Sequence, residues 1–165
     1  MDHNNNDIDT ASSDSTRVNE STPLISSPTA AAFQQTRQRQ EAIMSFFWKV
    51  GAVSGAMSVA LGAFGAHGLK KKISDPTKLG NWQTAAHYHM IHSVAILLAS
   101  GNPVAAGLFT AGITMFSGSL YTMTLDTERK FRFLGPVTPV GGLCLIAGWL
   151  VLAFGKKGGR PPLRF

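Results

Sequence analysis

Four long apolar blocks constrain this chain more than any other feature. They cover about residues 45–66, 82–100, 104–125 and 133–154. Each is about 20 residues long, the length at which a helix rising 1.5 Å per residue crosses a hydrocarbon core about 30 Å thick. A helix in a small soluble domain is apolar along one stripe only. These blocks are apolar all round, which calls for lipid or a large protein interior. The remainder of a 165-residue chain is too short to supply that interior. The pattern predicts an all-α polytopic membrane protein with four transmembrane helices in an up-down bundle.

Polar turns separate the blocks. Lys70, Lys71 and Lys72 precede Asp75-Pro76, a turn signal. Gly101-Asn102-Pro103 is short and uncharged, so the second and third helices are expected to form an antiparallel hairpin. Asp126, Glu128, Arg129, Lys130 and Arg132 make the next loop. Pro136 and Pro139 fall in the first turn of the fourth helix, where the missing amide hydrogen costs nothing.

Mean hydropathy is only slightly positive because a polar N-terminal segment dilutes the apolar remainder. Residues 1–44 are rich in Asn, Ser, Thr, Asp and Gln. Such a stretch buries too little surface to offset its ordering entropy, so a disordered tail is expected, turning helical near residues 30–42. Residues 45–155 form the membrane domain and 156–165 a basic C-terminal tail. The first block lies far from Met1, unlike a cleaved secretory signal, and Asp2, Asp7, Asp9, Asp14 and Glu20 speak against a mitochondrial presequence. The net charge of +6 comes largely from residues flanking the blocks, which suits lipid headgroups and not nucleic acid. Arg37, Arg39, Lys49, Lys156, Lys157, Arg160 and Arg164 on one side balance Lys70, Lys71, Lys72, Lys78, Arg129, Lys130 and Arg132 on the other, so charge does not choose an orientation.

Small residues mark packing faces. Gly51 and Gly55 form a GxxxG, and Ser54, Ser58 and Gly62 form a second row; Gly141 and Gly142 admit a neighbour to the fourth helix. Helices in lipid gain little from hydrophobicity toward one another, so close backbone approach carries their association. Packing within the bundle is the expected role of the first of these faces, and dimerisation through it would be an additional use.

The second block holds His87, His89 and His92. At about 100° per residue, His87 lies roughly 160° from His89 and 140° from His92, so one straight helix cannot bring all three to one ion. His87 and His89 are expected in the interface region near Trp82. His92 lies deeper and is expected to face another helix, bonding a Ser or Thr of the third. Antiparallel packing would bring His67 toward His87 or His89. Ser117, Ser119, Tyr121 and Thr122 make the third helix polar over its second half, and Thr138 does the same for the fourth. The candidate buried polar site is therefore His67, Tyr88, His92, Ser117, Ser119, Tyr121 and Thr138. No nucleophile elbow, phosphate loop, paired carboxylates or HExxH motif is present. The four blocks contain no Asp or Glu, which speaks against a pump. One cysteine, Cys144, excludes a disulfide framework or a cysteine zinc site within the chain, and no metal or cofactor is expected.

Residues 61–69, Leu-Gly-Ala-Phe-Gly-Ala-His-Gly-Leu, resemble a hallmark of the transmembrane protein 256 family, also described as domain of unknown function 423. Trp82-Gln83-Thr84, Tyr88 with His92, residues 116–121 (Phe-Ser-Gly-Ser-Leu-Tyr), residues 137–142 (Val-Thr-Pro-Val-Gly-Gly) and Ala147-Gly148-Trp149 continue the resemblance in order. It implies a four-helix integral membrane protein and brings no established activity. His87, His89 and the long N-terminal tail are additional to that pattern.

The reading that follows is a small multi-pass membrane protein, a non-enzymatic packing or assembly component whose partners are the lipid bilayer and either a second copy or other membrane subunits. The alternatives are an oligomeric conduit for a small solute or ion, lined by His92, Tyr88 and residues 117–121, or a haem- or metal-binding bundle using His67 and His92. Glu20, Leu24 and Ile25 match an acidic dileucine sorting signal, which a clathrin adaptor reads from the cytosol. That favours endosomal, lysosomal or vacuolar membrane over mitochondrial or plasma membrane.

Overall fold

The structure, a computed structural model, describes residues 28–128 and 130–155. Four helices account for almost all of them: α1 Pro28–His67, α2 Pro76–Leu98, α3 Pro103–Leu125 and α4 Val137–Phe154. Short 3-10 turns, Leu69–Lys71 and Arg132–Leu134, lie on the α1–α2 and α3–α4 connections.

Helix α1 runs unbroken for 40 residues, so the tail expected over residues 1–44 is helical from Pro28 onward. Local chemistry accounts for this. Ala, Gln, Arg and Glu are good helix formers, and Arg37 pairs with Glu41 at 3.6 Å one turn on. Residues 1–27 and 156–165 lie outside the described residues, and with them the dileucine motif and the basic C-terminal tail.

Helix α2 starts at Pro76, six residues before the expected onset near Trp82. Asp75 caps it: its side chain accepts the Thr77 amide at 2.9 Å and the Lys78 amide at 3.4 Å. Pro76 occupies the first turn. The same design opens α3, where Asn102 accepts the Ala105 amide at 3.2 Å and Pro103 follows.

The helices pack in chain order with alternating direction. Gly51 meets Leu97 and Gly65 meets Trp82, which sets α1 antiparallel to α2. Ser117 bonds the Ala85 carbonyl and Lys78 the Asp126 carbonyl, which sets α2 antiparallel to α3. Gly112 meets Leu145 and Gly141 meets Phe116, which sets α3 antiparallel to α4. Helices α2 and α3 are central, with α1 and α4 flanking. The core is small and made of Ala95, Ile96, Ala99, Ala105, Ala106, Phe109, Ile113 and Leu145. Large apolar side chains such as Leu98, Val104, Leu143 and Ile146 point outward. That inversion of the soluble pattern belongs to a bundle whose solvent is lipid.

Among the described residues, three helical segments are long and apolar enough to cross a membrane: α1 with its following turn, α3, and α4 with its preceding turn. Helix α2 matches α3 at 23 residues but falls outside that set. Its histidines and its polar first turns lower its hydropathy. It nevertheless lies along α1 and α3 from Lys78 to Leu97, with His89, His92 and Ser93 turned inward, and so crosses with them.

Candidate functional site

The seams of this bundle are built on glycine and serine spaced seven apart. On α1 the buried residues are Gly51, Ser58 and Gly65, and on α4 they are Gly141, Leu145 and Gly148. A Cβ on Gly51 would lie 2.8 Å from Leu97 Cδ2, and one on Gly148 would lie 2.7 Å from the Phe109 ring. Gly65 receives the edge of Trp82, and Gly141 receives the backbone of Phe116. Of the other glycines singled out from sequence, Gly55 and Gly142 have only ordinary contacts and Gly62 has open space around it. Gly65, Gly112 and Gly148 were missed. The signal that finds most of the seam is the seven-residue period rather than the GxxxG.

Two polar clusters hang on α2. In the first, Ser54 of α1 reaches His89 Nε2 at 3.0 Å and Ser93 Oγ at 2.7 Å. Ser93 Oγ also donates to the His89 carbonyl at 2.7 Å. That last bond decides the direction of all the others. Ser93 spends its one hydrogen on a carbonyl, so Ser54 must donate to Ser93, and His89 Nε2–H must donate to Ser54. His89 is therefore the neutral Nε2–H tautomer, and its Nδ1 carries a lone pair. The Tyr121 hydroxyl of α3 lies 3.5 Å from that Nδ1, beyond the distance of a good hydrogen bond.

The second cluster is the mirror case. The Trp149 indole N–H donates to His92 Nε2 at 3.2 Å, so His92 is the Nδ1–H tautomer and donates to the Tyr88 carbonyl at 2.8 Å. The expected Ser or Thr of α3 is not the partner of His92; an indole of α4 takes that place. Rings close around it: Tyr88 stacks at 5.7 Å, Phe109 lies at 5.8 Å and Trp149 at 6.1 Å.

The remaining candidates fall elsewhere. Ser117 donates to the Ala85 carbonyl at 2.9 Å, tying α3 to α2. Ser119 spends its hydrogen on the Phe116 carbonyl and accepts from Thr138 at 2.6 Å, tying α3 to α4. The Tyr88 ring packs on that of Phe116, centroids 4.8 Å apart, and the residue is 42% exposed. His67 and His87 are exposed, so His67 joins neither cluster and does not meet His92 on a common ligand. His89, expected at the interface, is 6% exposed, as deep in the packing as His92 at 5%. Turning it toward α1 and α3 hides it at any depth. Among the described residues no group of three His, Cys, Asp or Glu side chains is placed to hold a metal ion.

The first cluster floors a cleft of about 650 Å³ between α1 and α3. Val50, Val53, Met57 and Leu61 form one wall and Ile113, Thr114 and Gly118 the other. Phe46 and Lys49 stand at one end, and His89 and Tyr121 line the floor. At the far end of α3, outside the apolar segment, the Asp126 carboxylate accepts the Phe131 amide at 2.7 Å, which holds its carboxyl below the usual range.

Four antiparallel helices with lipid-type side chains outward and paired polar groups inward define a small multi-pass membrane protein. The chain belongs to the family described as protein of unknown function DUF423, whose model matches residues 61–142. It is 41% identical over 113 residues to a UPF0382 membrane protein of Schizosaccharomyces pombe, covering 64% of this chain and 96% of that protein. It is 43% identical over 117 residues to one from Staphylococcus haemolyticus, covering 66% and 93%. It is 38% identical over 119 residues to the UPF0382 membrane protein YwdK of Bacillus subtilis, covering 66% and 94%. No solved structure matches. The protein is an integral membrane protein. His89, His92 and Tyr121 lie within the family segment, whereas Ser54 and Trp149 lie outside it.

Proposed function

We propose that this protein is a non-enzymatic membrane component that works by holding a hydrophobic partner in the α1–α3 cleft. The observation carrying this reading is the cleft itself. Helix α1 packs on α2 and leaves α3 uncovered, with a space of about 650 Å³ between them. In a bilayer that space fills with acyl chains or with a partner, because walls facing a void forfeit their dispersion contacts. The non-enzymatic part rests on the histidines. Three of the four ring nitrogens of His89 and His92 are committed to internal hydrogen bonds, and among the described residues no carboxylate lines the cleft.

The conduit reading draws less support, since the polar groups form two clusters with different neighbours instead of one continuous row. The haem or metal reading draws less still, with His67 exposed and His92 bonded on both sides. Residency in endosomal, lysosomal or vacuolar membrane is a proposal resting on Glu20, Leu24 and Ile25.

The test is a photoreactive phenylalanine analogue placed singly at Val53, at Thr114 or at Leu143 on α4. Illumination in the native membrane should give a discrete adduct by intact mass from the two cleft positions and only dispersed lipid adducts from Leu143. Indistinguishable adducts from all three positions would remove the reading.

A further inference from the structure

We infer that the cleft is a binding site for a neutral, membrane-soluble long-chain alcohol, its hydroxyl seated between His89 and Tyr121 and its tail lying along α1. This rests on the cleft-binding reading above and names the occupant. The walls first exclude a helix. A second helix seats in lipid by close backbone approach at small residues. The small residues of α1 at its tight seam, Gly51, Ser58 and Gly65, are already buried, the two glycines directly against α2, and the small residues it leaves uncovered, such as Ala52, Ala56 and Gly62, do not line the cleft. What α1 offers the cleft is Val50, Val53 and Met57, which suit a flexible chain. The volume also falls within the range of small-molecule sites, about 300–1,000 Å³.

The polar floor then selects the head. His89 Nδ1 is an acceptor and Tyr121 O–H is a donor, and they stand 3.5 Å apart. Each keeps unused capacity, because at 3.5 Å the two groups are too far apart to satisfy one another well. A hydroxyl complements both partial charges at once, donating to Nδ1 and accepting from Tyr121. A ketone or ester would serve Tyr121 alone. A carboxylate would bring a charge to a floor with no cation, since the cleft's one lysine, Lys49, stands at its end beside Phe46. From Ser54 to Phe46 the α1 wall runs about 12 Å, which an alkyl or isoprenoid tail can follow.

The test uses the purified full-length protein in phosphatidylcholine vesicles. The probes are hexadecanol carrying a mid-chain diazirine and its O-methyl ether, which keeps the oxygen and the tail but cannot donate. Labelling by the alcohol should saturate and map to α1 and α3 near Val53 and Thr114, and the ether should label at least tenfold less. Tyr121→Phe should lower alcohol labelling about three- to tenfold. Gly118→Leu should abolish it, because the space beside Gly118 is open and the new side chain enters the cleft without a clash. Val53→Trp fills the cleft from the opposite wall and should do the same. Equal labelling by alcohol and ether, unchanged in Tyr121→Phe yet lost in Gly118→Leu, would overturn the hydroxyl assignment and leave a cleft that binds apolar chains. Alcohol labelling that survives both filling substitutions would overturn the site and the cleft-binding reading together.

Discussion

Gly141 and Gly142 are neighbours in sequence and should respond to alanine in opposite directions. A Cβ on Gly141 would overlap the Phe116 amide nitrogen and lie 2.9 Å from both the Met115 carbonyl carbon and Phe116 Cα. These are backbone atoms of α3, so no rotamer change relieves the collision and the two helices must move apart. Overpacking of this kind costs about 1–3 kcal/mol, and a backbone obstacle belongs at the upper end. Alanine recovers about 1 kcal/mol of helix propensity. The net expectation for Gly141→Ala is a loss of about 2 kcal/mol. A Cβ on Gly142 meets only the edge of the Phe116 ring at 3.8 Å, an ordinary contact. Gly142→Ala should keep the propensity gain and be neutral or stabilising by up to about 1 kcal/mol. Unfolding in mixed micelles with rising SDS, followed by circular dichroism, measures both. A Gly141→Ala variant within about 0.5 kcal/mol of the parent, or two variants equally destabilised, would refute the claim that Gly141 sets the α3–α4 distance.

Trp149→Phe should cost about 1–3 kcal/mol in the same assay, because His92 Nε2 loses its donor in a place water does not reach. Adding His92→Leu to it should cost clearly less than the sum of the two single changes, and simple additivity would count against the pair. The Asp126 carboxyl is held down by the Phe131 amide, so its folded value lies below its unfolded one. Its stabilising effect is fully present above the unfolded value of about 3.9 and is lost as pH falls through the folded value. The stability gap between parent and Asp126→Asn should accordingly close on acidification below that range, and a gap independent of pH would sink the assignment. Leu24→Ala with Ile25→Ala on a C-terminally tagged copy should move the protein to the cell surface, and unchanged localisation would remove the sorting signal.

The helices were legible in the sequence because a span of lipid-crossing length has few other uses. Their starts were less so. The onset of apolarity near Trp82 marks where α2 enters apolar surroundings, whereas Asp75 and Pro76 mark where its hydrogen bonding begins. Reading depth from Trp82 also misled about His89. Depth along a helix is additive in residue number, but concealment depends on which neighbour covers each face. His89 and His92 differ by about 60° around α2, and that is enough to hand one to α1 and α3 and the other to α4. Trp149 as the partner of His92 joins residues 57 apart and has no local signature. The cleft has none either, since it arises from how α1 and α3 splay over α2.

Helix α1 is 40 residues long, about 60 Å at 1.5 Å per residue, twice the thickness of the hydrocarbon core. About 25 Å of it, from Pro28 to the level of Ser45, therefore extends beyond the membrane domain as one continuous helix. With no break in its hydrogen bonding, the azimuth of Arg37 and Glu41 is locked to that of Ser54. A protein gripping the outer end cannot turn it without turning the wall that holds Ser54 against His89. A torque applied there would reach the cleft wall inside the bilayer through one continuous helix.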